Sequence, residues 1–265
     1  MTVRNKILVL HRGLTSELLK HYSTFMLWFV LSFSIVISAI VFLTAWTDNN
    51  LQVTDPWRWY ILFNYRLYFH LFIFMQILFI CHINYLEHRN KTWKNIQVLP
   101  IPDWVIFISK FVFGYVILSI SALLFYSLTM LGGHALGNVR PELGFQYTNY
   151  WWETFVPTLK FMIASSGVVS IMYWISYSVK SILVSVVIGL ICYASAYALH
   201  LLGNRAGYDG FQYSRLHPFN FSGYAFNSFG TGNHSLNMEF VYYGVSTALF
   251  ILILHYFISR RGNMS

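Results

Sequence analysis

The sequence predicts an all-α integral membrane protein, with six transmembrane helices and an N-terminal amphipathic helix lying at the interface before them. Three observations carry that prediction. First, 57% of the 265 residues are hydrophobic and only 10% are charged, at a mean hydropathy of +0.53, whereas soluble domains carry about 25% charged residues. Second, six runs of about 20 residues, the length a helix needs to cross the hydrocarbon core, contain no Asp, Glu, Lys or Arg. Third, Lys and Arg are sorted between alternate connecting segments, as insertion of a polytopic chain requires. The net charge of +8 is scattered between apolar runs, which excludes a nucleic-acid surface. Cys81 and Cys192 both sit inside apolar runs, which excludes a disulfide framework.

In chain order, Val3, Ile7, Leu10, Leu14 and Leu18 recur every three or four residues, with Lys6, Arg12, Ser16 and Lys20 on other faces. That pattern describes an amphipathic helix over 3–22 on the inner membrane surface. The same stretch lacks the apolar centre and small-residue cleavage site of a signal peptide, so the first span is expected to be retained. The spans are expected at 24–46, 67–86, 111–130, 161–179, 181–202 and 240–258, all within a single domain over 1–265. Arg66, Lys110 and Lys160 fall at span edges. They are expected to snorkel to the nearest interface and anchor their helices; for Arg66 and Lys160 a place on a substrate path stays open. The segment 203–237 contains the run His217-Pro218-Phe219-Asn220-Phe221-Ser222-Gly223-Tyr224, which is too apolar for a solvated loop. It is expected to dip back toward the membrane or pack on the helix ends.

With the N-terminus inside, the inner segments carry Arg4, Lys6, Arg12, Lys20, Arg89, Lys91, Lys94, Lys180, Arg260 and Arg261, and the outer loops only Arg58, Arg140, Arg205 and Arg215. Both termini are therefore expected on the cytoplasmic side. Trp46, Trp57, Trp59, Tyr60, Tyr150, Trp151 and Trp152 cluster at the outer ends of spans, where amphipathic rings prefer the headgroup layer.

No nucleotide-binding Gly-Lys-Ser/Thr loop, zinc-binding His pair or nucleophile elbow is present, which argues against catalysis by this chain. No Asp or Glu lies in a predicted span, which weakens an ion-coupled carrier. His70, His82, His200 and His255 do lie in spans; hydrogen bonds to neighbouring helices account for them more simply than a proton relay or a metal. The stretch from Glu87 through Arg89, Trp93 and Lys94 to Pro100 is long enough for about three helical turns. Charges surround one aromatic anchor there, a pattern suited to seating in a pocket of a soluble partner; an interfacial helix is the alternative.

A basic N-terminal helix, six spans, and an acidic residue followed by Lys91-Thr92-Trp93-Lys94 and a Leu99-Pro100-Ile101-Pro102 exit after the second span resemble the ABC-2 family of ABC transporter permeases. Within it the chain is most similar to the small permeases of bacteriocin and lantibiotic export or immunity systems. The resemblance implies an ABC-2, type V exporter-like architecture in a bacterial plasma membrane. It also implies two copies of a cytoplasmic ABC ATPase that bind the ATP and Mg, a second permease chain, the same or homologous, and no cofactor on this chain. It assigns ATPase coupling to Glu87, Arg89, Trp93 and Lys94 on a coupling helix over 87–99, and makes Phe69, Phe72, Phe74 and Met75 candidates for the translocation path. The function it implies is ATP-driven export of an amphipathic or hydrophobic compound such as an antimicrobial peptide. A membrane-embedded enzyme acting on lipid and a non-transporting sensor or scaffold are the alternatives.

Overall fold

The structure, a computed structural model, describes residues 3–47, 55–89, 103–147, 150–179, 181–206, 213–227, 229 and 237–262. Every regular element among them is helical, and six helices are long and apolar enough to cross a membrane. In chain order they are α1 (Val3–Tyr22), α2 (Phe25–Thr47), α3 (Pro56–Arg89), α4 (Asp103–Val139), α5 (Trp151–Ser178), α6 (Ile182–Ala206), the short α7 (Phe221–Phe226) and α8 (Met238–Gly262). α1 and α7 are not among those six.

α3 and α4 outrun the expected spans. They hold 34 and 37 residues, about 51 Å and about 56 Å at 1.5 Å per residue, against a hydrocarbon core of about 30 Å. An uncharged run marks only the stretch that lipid demands; beyond it, tertiary packing completes the helix. α3 starts at Pro56, which suits a first helical position, and the Asp55 carboxylate caps it by accepting the Arg58 N–H at 3.0 Å. Its first turns are then buried by Trp57 and Tyr60. The Trp57 indole donates to the Phe145 carbonyl at 2.6 Å and lies across Gly133, where a Cβ would stand 2.5 Å from the ring.

α5 and α3 form the centre of the bundle. Of the most apolar window of each helix, 72% is buried in α5 and 61% in α3, against 17% in α6 and 22% in α8. α2 is pinned to α4 by a serine pair: Ser34 Oγ donates to the Ser121 carbonyl at 2.7 Å and Ser121 Oγ to the Val30 carbonyl at 3.0 Å. α8 meets α5 backbone to backbone, because Gly244 and Gly167 face each other as small residues do at membrane helix crossings.

α1 departs from the expected simple amphipathic pattern. Leu18 and Leu19 face outward, while Glu17 and His21 are buried against the bundle and Gly13 packs on Ser109 of α4. The reason is Lys110. Its ammonium is fully buried and lies 3.9 Å from a Glu17 carboxylate oxygen, whose other oxygen accepts from Lys20 at 2.8 Å. Lys110 therefore does not snorkel, and Lys160 is likewise buried in protein. A carboxylate on α1 offers Lys110 what a lipid interface would otherwise supply.

The run beginning at His217 folds as a 3-10 turn, Pro218–Asn220, continuing into α7. Phe219, Phe221, Tyr224 and Phe226 are buried. The Asn220 amide donates to the Ala196 carbonyl of α6 at 3.0 Å, and Phe226 stacks on Tyr65 of α3 at 3.9 Å. The segment is thus a plug set among the helices.

Candidate functional site

A partly open cavity of about 510 Å³ lies between α3, α6 and the α7 plug. α3 contributes Trp59, Leu62, Phe63, Arg66, Phe69 and His70, which recur every three or four residues and so form one face of the helix. α6 contributes Tyr193, Tyr197 and His200 by the same spacing, and the plug adds Asn220, Gly223, Tyr224, Phe226 and Asn227. Phe161 of α5 lines it too. Trp59 and Phe63 stack at 5.4 Å, giving an aromatic wall. Gly223 lets the plug approach α3 closely, since a Cβ there would come within 2.7 Å of the Phe69 ring and push it aside.

The polar groups are few and held in place. Nδ1 of His70 is 2.7 Å from the Tyr193 hydroxyl, and Nδ1 of His200 is 3.1 Å from that of Tyr224. Tyr224 is also bonded to Ser214 at 2.7 Å, and burial pushes its phenol above the usual range, so it remains a neutral hydroxyl. Burial lowers His217 beside the plug; its Nδ1 accepts the Phe219 N–H and its other nitrogen bonds Ser195 at 3.2 Å. No Asp or Glu among the described residues lines the cavity. Among the described residues, Arg66 makes no ion pair and no side-chain hydrogen bond. The arrangement suits binding, with apolar rings for area and fixed donors for orientation.

The four residues suggested for a translocation path are placed differently from one another. Phe69 lines the cavity. Phe72 is buried, stacked on Tyr68 at 4.9 Å and against Phe161 at 5.4 Å, and Met75 is buried with it. Phe74 is exposed on the outer surface of the bundle. The intramembrane histidines divide as well. His70 and His200 face the cavity, His255 stacks on Phe107 at 3.5 Å, and His82 lies edge-on to His21 at 6.3 Å.

Of the residues suggested for coupling, Glu87 and Arg89 lie in the last turn of α3, with side chains outside the described set. Trp93 and Lys94 lie outside the described residues. α3 runs without a break from the cavity to that end. Arg66 and Glu87 are about 32 Å apart along its axis.

Sequence reasoning noted Arg66, His70 and His200 singly but not the cavity that unites them. The signal was available in two helical stripes, 59-62-63-66-69-70 and 193-197-200, in which aromatic, basic and imidazole side chains share a face otherwise expected to meet lipid.

No curated protein and no solved structure gives a match to this chain. The family model described as ABC-2 family transporter protein matches residues 14–195, from the middle of α1 into α6, and so includes the α3 and α6 residues of the cavity up to Tyr193. With its six apolar helices, the chain belongs to the ABC-2 transporter family, as a membrane-spanning subunit.

Proposed function

We propose that this chain is the permease of an ATP-driven exporter, and that the cavity between α3 and α6 is where cargo is held at the outer half of the membrane. The observation that supports this most is mechanical. One uninterrupted helix, α3, carries the aromatic wall of the cavity at one end and, at the other, leads into the segment with Glu87, Arg89, Trp93 and Lys94. Two ABC ATPases closing on ATP and Mg at that segment would move α3 as a rod, and a rigid element is what transmits such a displacement. In this reading both termini and α1 are on the cytoplasmic side of a bacterial plasma membrane. A second permease chain, the same or homologous, packs against the exposed apolar face of α6 that includes Leu183, Ile191 and Leu201. The cargo is an amphipathic or hydrophobic compound, a class that includes antimicrobial peptides, because aromatic surfaces suit such molecules.

Coexpression with a candidate ABC ATPase tests the reading. The expected result is a complex of fixed stoichiometry that is lost in the Glu87→Ala, Trp93→Ala double variant and kept in a Phe250→Ala control. Retention of the ATPase by the double variant would overturn the assignment of the coupling segment.

A further inference from the structure

Resting on the cargo reading, we propose that the cavity selects an amphiphile with a phosphate head, the anion set against Arg66 and the apolar stem along the aromatic wall. Arg66, an exposed residue on the cavity face of α3, brings a full positive charge to a wall otherwise built of Leu62 and aromatic and imidazole rings. It has no ion pair among the described residues, and no carboxylate among them lines the space around it. A cation that opens onto a cavity instead of a protein carboxylate leaves room for an anion brought by a ligand.

The neighbouring donors specify the head further. Arg66 and His200 both lie within electrostatic reach of His70, so one guanidinium and two imidazoles converge on the same space. A guanidinium binds carboxylate and phosphate equally well by its two-pronged geometry. Several additional donors around it favour phosphate, which offers more acceptor oxygens. The stack of Trp59 on Phe63, with Tyr197 also lining the cavity, gives the stem an apolar surface to lie along. Among the described residues a cationic amphiphile meets Arg66 and no acid, and the ring faces are what could hold it.

The test titrates the full chain, purified in an uncharged maltoside detergent, with dodecyl phosphate, dodecyltrimethylammonium and inorganic phosphate, binding being counted by native mass spectrometry. Dodecyl phosphate is expected to bind at one site per chain. Arg66→Gln is expected to weaken it at least tenfold, Arg66→Lys to restore most of that loss, and Arg58→Gln, an exposed arginine on the same helix outside the cavity, to change nothing. Leu62→Trp, which narrows the cavity at an exposed wall position without touching charge, is expected to weaken it as well, so the result does not rest on one variant. Equal binding of inorganic phosphate would make this a free-anion site and overturn the amphiphile. Preference for the ammonium probe, or indifference to Arg66→Gln, would overturn the anionic head while leaving the cavity as the cargo site. Binding of none of the probes would remove both.

Discussion

Lys110 is the residue whose environment departs furthest from what its neighbours in sequence suggest. It sits at the boundary of an apolar run, yet it is fully buried and held near Glu17 instead of reaching for headgroups. Removing one partner of a buried pair leaves the other charge uncompensated, a loss of roughly 3–5 kcal/mol when no second partner exists. Glu17 keeps Lys20 at 2.8 Å, so Lys110→Met is expected at the lower end, about 3 kcal/mol. The double variant Lys110→Met, Glu17→Gln should recover most of that. Thermal unfolding midpoints in detergent measure both, and a double variant no better than the single one would show that packing, not charge, sets the loss.

α1 is docked by this same cluster, and its docking carries a pH dependence with a definite sign. His21 is held down to about 3 from 6.5, by burial first and then by the charges of Lys110, His82 and Lys20; Glu17 also faces it, at 3.8 Å. The docked helix therefore binds this proton less than the released helix does. Docking keeps its full strength above about pH 6.5 and weakens as pH falls toward 3, by up to about 1.4 kcal/mol per unit. Moving from pH 7.5 to 5.5 should thus lower the protection of α1 amides, their exchange being taken relative to the intrinsic rate at each pH, about tenfold. His21→Phe, which preserves the stack on Phe113 seen at 5.1 Å, should abolish that loss of protection; an unchanged loss would show that His21 is not its source. The α5–α8 crossing gives a second prediction. A Cβ at Gly244 would lie 2.4 Å from the Ala164 carbonyl oxygen, which is backbone, whereas one at Gly189 would meet the side chains of Met172 and Ile77. Gly244→Ala should cost about 1–3 kcal/mol by forcing two helices apart. Gly189→Ala, whose neighbours can turn aside, should cost less in the same unfolding measurement.

The number and order of the crossing helices were legible in composition and in uncharged runs, because lipid imposes that pattern directly. Their true lengths were not. α3 reaches back to Pro56 and α4 forward to Val139 because Trp57, Tyr60 and Phe145 pack together across Gly133, a contact between residues almost ninety positions apart. The cavity was half legible: Phe69 and the intramembrane histidines stood out, but Phe72 and Met75 share its helix and belong to the interior. Only the packing of α6 and the plug decides which face of α3 is left open. The account's central claim joins that cavity to ATP through α3, and cysteine accessibility in the reconstituted transporter tests it most directly. With the native Cys81 and Cys192 replaced by serine, Tyr197→Cys in the cavity and Phe250→Cys on the exposed face of α8 would be labelled with a maleimide in the ADP-bound and ATP-trapped complexes. The account predicts a several-fold change in labelling rate at position 197 between the two states and none at 250. Equal rates at 197 in both states would contradict it.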